Sequence, residues 1–242
     1  LTPTYMRIGG LAKDLPEGIE GKIKAFVEAF PGHMKEYETL LTKNVIWLKR
    51  TKEVGIISKE DAINWGVTGP TLRGSGVKWD VRKAFPYSSY EDFEFDIPTG
   101  SVGDVYDRYY VRLREMEWAN AIVKQALEKL PKGPVLADDP KVVLPPKEMV
   151  LTDIASLIRH FKIASEGFQP PEGEVYASVE AAKGELGFYV VSDGSNRPVR
   201  VRIRPPSFLN LSALPKMIEG GLIADAVSAI GSIDIVLGEI DR

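Results

Sequence analysis

Few side chains in this sequence could bind a metal or attack a bond unaided. There is no cysteine, and only two histidines, His33 and His160, stand among 242 residues. Disulfides, Cys-ligated zinc, Cys-bound iron–sulfur clusters and cysteine nucleophiles are therefore excluded. Two isolated imidazoles make a poor transition-metal site, and His160, among apolar neighbours, reads as a packed or hydrogen-bonded residue. No Walker loop, dinucleotide fingerprint, His-Glu-x-x-His helix or nucleophile elbow occurs, and Gly74-Ser75-Gly76 is too short to cradle a phosphate. What remains is charge. Arg200, Arg202 and Arg204 alternate with Val199, Val201 and Ile203, which sets three guanidinium groups about 6.6–7 Å apart on one strand face. That face is either a charge-protected edge or a basic surface for a partner's carboxylates. Asp104–Arg108, Arg112–Glu115 and Arg114–Glu117 lie at helical pairing distance. They are either a solvated face or a partly buried ion network. The apolar C-terminal run holding Asp234, Glu239 and Asp241 is expected to dock into the protein or an interface.

These groups must be held by a mostly helical frame. Ile19, Ile23, Phe26, Val27 and Phe30 recur at helical spacing, and Pro31-Gly32 should break or kink that helix. A second helix follows, with Met34, Tyr37, Leu41 and Leu48 near one face. Ser58 and Asp61 form a short capping box. Residues 65–103 read as a long irregular connection, which usually means function or packing. A long helix spans about Asp104 to Leu130. Tyr109, Leu113, Met116, Val123, Leu127 and Leu130 form its core-facing or partner-facing stripe, and Asn120 takes one seam position. Residues 131–150 carry five prolines and read as a linker or surface arm. Thr152 caps a helix running to about Ala164. Three strands follow as a meander, Glu174–Glu180, Leu186–Ser192 and Pro198–Arg204. Ser212 to Ile230 reads as two short helices broken by Gly220-Gly221. The fold class is mainly α with a small antiparallel sheet (α+β).

Composition adds bounds. A chain of 242 residues suits one large domain or two smaller ones. A net charge of −3 argues against a general nucleic-acid binder. The weakly polar stretch 226–238 is too short to span a bilayer and holds Asp234, so the chain is expected to be soluble or peripheral. The opening Leu1-Thr2-Pro3-Thr4-Tyr5-Met6-Arg7 reads as a trimmed or incompletely represented start.

Five ordered motifs carry a resemblance over essentially the whole chain. Tyr5-Met6-Arg7-Ile8-Gly9-Gly10 precedes Asp14-Leu15-Pro16. Gly69-Pro70-Thr71-Leu72-Arg73-Gly74-Ser75-Gly76 is followed by Asp80, Arg82-Lys83, Pro86-Tyr87 and Tyr90. Gly103-Asp104-Val105-Tyr106-Asp107-Arg108-Tyr109 comes with Arg112 and Glu115. Glu180, Lys183-Gly184-Glu185, Ser192-Asp193-Gly194 and Arg204-Pro205-Pro206-Ser207-Phe208 form the fourth. Ala224-Asp225 and the segment from Asp234 to Gly238-Glu239-Ile240-Asp241-Arg242 form the fifth. Together they resemble the C-terminal part of the 49-kDa-type subunit of respiratory complex I, the NADH:quinone oxidoreductase. That family resembles the large subunit of nickel–iron hydrogenases, and a helical body of that kind is implied over residues 1–242 as a single domain.

The resemblance implies a longer N-terminus in the family, with a His-bearing hairpin that meets the quinone headgroup and lies outside this sequence. In the hydrogenases a C-terminal Asp-Pro-Cys-x-x-Cys-x-x-His holds the metals. Here Val236 and Glu239 stand where the cysteines would be, and Arg242 where the histidine would be. Valine ligates nothing, so a metal-free remnant reused as a quinone cavity is implied. Asp234, Val236, Leu237 and Lys183 would line or adjoin that cavity, and Arg7 would lie near the iron–sulfur cluster held by a neighbouring small subunit. Some relatives carry a redox-sensing histidine at the position of Thr2. Ion pairing that fastens the fold is the other reading of Arg7 and Lys183, and C-terminal capping or packing the other reading of Asp234. The implied partners are the cluster-bearing small subunit, other hydrophilic-arm subunits, a membrane-arm subunit at the quinone entrance, and quinone itself. The implied location is peripheral on the inner (cell) membrane, on the cytoplasmic or matrix side. No metal or NAD would be bound by this chain. The alternatives are the large subunit of a membrane-bound energy-converting hydrogenase-related complex, and a purely structural scaffold.

Overall fold

In the computed structural model, which describes residues 5–241, helices take about 51% of the chain and the strands form two small antiparallel sheets. The expected α+β class is therefore the observed one. Two compact units divide the chain. One gathers the described residues through Gly21 with Leu130–Val175 and Tyr189–Arg202; the other gathers Lys22–Lys129, Tyr176–Phe188 and the residues from Ile203 onward. The first long helix, Ile19–Tyr37, runs without interruption through Pro31. The expected break is absent.

In the first unit a two-stranded ribbon pairs Met6–Arg7 with Gly10–Leu11. The proline-rich segment is fastened to it: Leu11 donates its N–H to the Val135 carbonyl at 2.9 Å, and Ala137 to that of Gly9 at 2.8 Å. Thr152 closes the helix Lys147–Thr152 instead of opening the next one. Asp153 caps Ile154–Ser165, its carboxylate accepting the Ser156 N–H at 2.8 Å, the role expected of Thr152. His160 sits in this helix with Nδ1 buried and unpartnered, so it is packed and that nitrogen makes no hydrogen bond.

The second unit is built on the helix Val105–Glu128, which starts where its cap predicts. Asp104 accepts the Asp107 N–H at 2.8 Å and, with its other oxygen, the Glu53 N–H at 2.8 Å. Of the three expected ion pairs on this helix, Arg114–Glu117 is the one formed among the described residues, at 2.7 Å. The apolar stripe divides: Leu113 is buried, while Met116 and Val123 are exposed. Asn120 donates to the Val27 carbonyl at 3.1 Å. The core gathers Ile57, Ala62, Val67, Leu72, Ala213, Met217 and Ile233.

The region expected to be irregular contains the short helix Gly69–Gly74, all six of whose residues are buried. It packs against the long helix because glycine allows it. A Cβ on Gly74 would come within 2.9 Å of Arg108 Cγ, and one on Gly100 within 2.2 Å of the Gly74 carbonyl oxygen. The three-stranded sheet keeps chain order, Gly173–Ala181, Gly184–Ser192 and Arg200–Arg204. Its arginines are not equivalent. Arg200 and Arg202 are exposed, as are Val201 and Ile203. Arg204 donates to the carbonyls of Glu185 at 2.7 Å and Gly66 at 2.9 Å. The tail folds as Pro206–Ser212, Leu214–Ile218, Ile223–Ile233 and Leu237–Asp241. Its end docks as expected. Glu239 accepts the Ser207 N–H at 3.0 Å, and Val236 donates its N–H to Ser207 Oγ at 3.2 Å. Among the described residues no helix is long and apolar enough to cross a membrane.

Candidate functional site

The chain brings two positions singled out in the sequence, Lys183 and Asp234, into direct contact. Lys183 Nζ donates to Asp234 Oδ2. Lys183 occupies the turn between the first two strands of the three-stranded sheet, and that turn is pressed against Gly69. A Cβ on Gly69 would lie 2.5 Å from Gly184 Cα and 2.7 Å from the Lys183 carbonyl oxygen, and Gly69 itself has φ +70°. Asn210 locks the junction, accepting the Thr68 N–H at 3.1 Å and donating to the Lys183 carbonyl at 3.0 Å. Gly69→Ala is therefore expected to cost about 2–3 kcal/mol from left-handed strain and backbone crowding, read as a lower urea midpoint at unchanged slope.

Asp234 ends the helix Ile223–Ile233 in a left-handed conformation, φ 58° and ψ 55°. A left-handed non-glycine residue is held by its surroundings or not at all. From the long helix, Arg112 donates to the Arg108 carbonyl at 3.2 Å and, at 3.4 Å, to the carbonyl of Ile233, the residue just before Asp234. Arg112 Nε is buried without a partner.

Two further arginines lie deeper. Arg108 is fully buried, with 0% exposure. Its three nitrogens donate to Ser232 Oγ, the Gly103 carbonyl and the Gly55 carbonyl, each at 2.8 Å. Burial, reinforced by the charge of Arg112, lowers its pKa to about 10, so it stays charged at neutral pH. Arg73, 2% exposed, meets Glu115 at 2.5 Å, Glu180 at 2.9 Å and Asp80 at 3.8 Å. Burial opposes its charge, but the three carboxylates outweigh burial and hold its pKa above the ordinary value. Glu180 is pushed up as well: its own burial is the largest cause, Asp80 adds to it, and a share in one guanidinium does not offset them. Asp80 also binds Arg82 Nη2 at 2.6 Å.

Two clefts flank this run of charge. One, of about 380 Å³, is walled by Trp47, Val105, Tyr109 and Ser232; the other, of about 370 Å³, by Arg73, Glu115, Met116 and Glu180. Arg112 and Asp234 line both. Both volumes sit at the small end of ligand pockets. Val236 and Leu237, 41% and 68% exposed, are not among the residues lining either cleft. Arg7 belongs to the other unit, where it lines a cleft of about 460 Å³ with Ile8, Leu136, Val143, Ile163 and Phe168. Arg242 and Thr2 lie outside the described residues. Among the described residues, no group of three or more His, Cys, Asp or Glu is placed to hold a metal ion.

Sequence reasoning places Arg108, Arg112 and Glu115 beside an apolar stripe but does not foresee Arg73 as the hub of three carboxylates. A signal exists: Arg73 lies within a Gly-Pro-Thr-Leu-Arg-Gly-Ser-Gly run, and glycines on both sides of a cation permit a backbone close enough to bury it.

Comparison with known proteins gives a consistent picture. The family described as "Respiratory-chain NADH dehydrogenase, 49 Kd subunit" matches residues 1–242. The chain is 59% identical over 242 residues to the D-type subunit of the NADH-quinone oxidoreductase of Geotalea uraniireducens, covering 100% of this chain and 62% of that one. It is 58% identical over 242 residues to the same subunit of Geobacter sulfurreducens, again covering 100% and 62%. With that of Magnetococcus marinus it shares 52% over 238 residues, covering 98% and 60%. The chain thus spans about three-fifths of the length of the curated relatives it matches.

Proposed function

Because the chain belongs to the 49 kDa subunit family of the respiratory-chain NADH dehydrogenase, we propose that it serves in an NADH-quinone oxidoreductase as part of the wall of a quinone cavity. The observation that carries this reading is the Lys183–Asp234 contact, whose aspartate lines two small clefts backed by buried charge. In this reading Asp234, Val236, Leu237 and Lys183 face the quinone. Val236 and Leu237 supply exposed apolar surface for its ring and tail. The lysine and aspartate supply the few polar groups that orient a mostly apolar ligand. Reduction of a quinone adds two electrons and two protons. In this reading the headgroup contacts come from outside this sequence, and Lys183, in the polar network beside the cavity, holds Asp234 at its wall.

The electrons would come from an iron–sulfur cluster of a neighbouring small subunit. Arg7 would lie near it and favour its reduced form electrostatically, by an amount limited by distance and screening. The partners in this reading are that small subunit, other hydrophilic-arm subunits and a membrane-arm subunit at the quinone entrance. The location is peripheral, against the inner (cell) membrane on the cytoplasmic or matrix side.

Val236→Met, made in the full-length subunit of the assembled enzyme, tests the reading. One lengthened apolar side chain in a shaped pocket is expected to change quinone-reductase kcat/KM or inhibitor sensitivity about tenfold. NADH oxidation by ferricyanide reports the amount of enzyme assembled. Unchanged quinone kinetics and inhibitor sensitivity would instead favour a scaffold whose residues only pack.

A further inference from the structure

We infer that Arg112 is a positioning residue for Asp234, bracing the backbone that carries the carboxylate which Lys183 holds directly. The inference rests on the quinone reading above and adds a residue to it.

Arg108 and Arg112 are one helical turn apart on the same helix, yet they are bonded in opposite ways. Arg108 has an acceptor on every nitrogen: each has a neutral oxygen at 2.8 Å. It ties together Gly55, Gly103 and Ser232, which is the pattern of a purely structural cation. Arg112 is under-bonded. Its two contacts are long, 3.2 and 3.4 Å, and its Nε has no acceptor. The difference lies in that Nε: Arg112 keeps a buried donor with no acceptor, where Arg108 has none. Burial works against its charge, and Asp234 followed by Glu115 are the groups that relieve it.

Location decides what that donor is for. Arg112 and Asp234 are the two residues common to the linings of both clefts. The longer bond from Arg112 reaches the Ile233 carbonyl, the peptide that leads into the left-handed Asp234. Arg112 thus supports the turn and supplies a nearby counter-charge, while Lys183 binds the carboxylate directly. Without Arg112 the turn can relax toward ordinary backbone angles, and the carboxylate is free to leave its place beside the cleft.

The test is made in the assembled membrane enzyme carrying the full-length subunit, with rates normalised to NADH–ferricyanide turnover. Arg112→Gln is expected to raise the KM for a short-chain ubiquinone about tenfold, the scale of a lost charge-assisted contact, with a smaller change in kcat. Arg112→Lys keeps the charge but loses the fork, and should recover part of the loss. Combined with Asp234→Asn, Arg112→Gln should add little beyond Asp234→Asn alone, because both act through one carboxylate. If Arg112→Gln prevents assembly, Arg112→Lys with and without Asp234→Asn gives the same cycle. Additive effects of the two substitutions would overturn the inference. Silence of Arg112→Gln where Asp234→Asn alters quinone kinetics would also overturn it, leaving the quinone reading intact. Silence of both would remove the quinone reading at this site and the inference with it.

Discussion

Arg108→Ala is expected to lower stability by about 5 kcal/mol, the scale of emptying a core position lined with unmet acceptors. The side chain has 0% exposure and donates to three oxygens belonging to Gly55, Gly103 and Ser232. Truncation leaves the Gly55 carbonyl and the Ser232 hydroxyl oxygen without a donor, and takes one of two donors from the Gly103 carbonyl, which keeps the Ile57 N–H at 3.0 Å. Each unsatisfied buried group costs roughly 1–3 kcal/mol. It also opens a void the size of a long side chain, which the packed Gly74 and Val105 cannot fill by simple collapse. Arg108→Lys keeps the charge but replaces a three-pronged donor by a single ammonium, and should recover only part of the loss. Thermal unfolding measures the effect, with an expected drop of roughly 10–20 °C for a chain of this size. Amide exchange should locate it, because residues near 55, 103 and 232 are held by one guanidinium and should lose protection together. A drop under a few degrees would mean that water enters and satisfies the three oxygens.

Arg73→Leu is expected to cost about 3–5 kcal/mol at neutral pH, the scale of removing one partner from a buried ion cluster. Glu180 and Asp80 are 5% and 2% exposed, and without Arg73 they face each other with less compensation. The loss should depend on pH, and its sign follows from Glu180. The Glu180 carboxyl is already raised above its ordinary value by burial, and Arg73 is the charge that most opposes the rise. Leucine removes that opposition, so the folded-state pKa climbs further above the unfolded one. A group raised in the folded state binds more protons there. Stability then falls as pH rises through the folded pKa, and the penalty is smallest below the unfolded value. Urea unfolding of the variant and its parent should therefore differ less near about pH 5 than near about pH 8. A penalty that grows on acidification would contradict this assignment of the charge.

How much of this is legible in the sequence differs from element to element, for physical reasons. The long helix is legible because Asp104 is a cap followed by residues at helical spacing, and both signals are local. The meander is legible because turn residues at Gly184 and at Asp193-Gly194-Ser195-Asn196 separate its strands, and because the third strand alternates strictly between apolar and charged residues. Pro31-Gly32 is expected to break or kink the first helix, and the break does not occur: the helix continues on both sides of Pro31. Thr152 and Asp153 are both good caps, so residue type alone does not choose between them. The burial of Gly69–Gly74 is invisible to periodicity, since six residues hold less than two turns and two of them have no side chain. The buried arginines are the hardest to foresee. Arg108 lies on the same helix face as Val105 and Val111, which are buried at 4% and 0% exposure, and arginine at such a position is ordinarily read as solvent-facing. Only the distant oxygens of Gly55 and Ser232, supplied by tertiary folding, together with the nearby Gly103 carbonyl make a core position acceptable to it. The same holds for the Lys183–Asp234 contact: 51 residues separate the partners, and no spacing rule joins them.

The backbone at Asp234 puts two kinds of selection in opposition. A left-handed residue at a helix end is most comfortably glycine or asparagine, and an ordinary side chain there costs roughly 1–2 kcal/mol. Aspartate tolerates this region better than most side chains, though less well than glycine, and it keeps the carboxylate. A search that rewards thermal tolerance alone would drift toward the smaller residue at this position, and a search that rewards turnover would be expected to keep the acid. Position 234 is thus a place where a more robust chain and a more active one would be written with different letters.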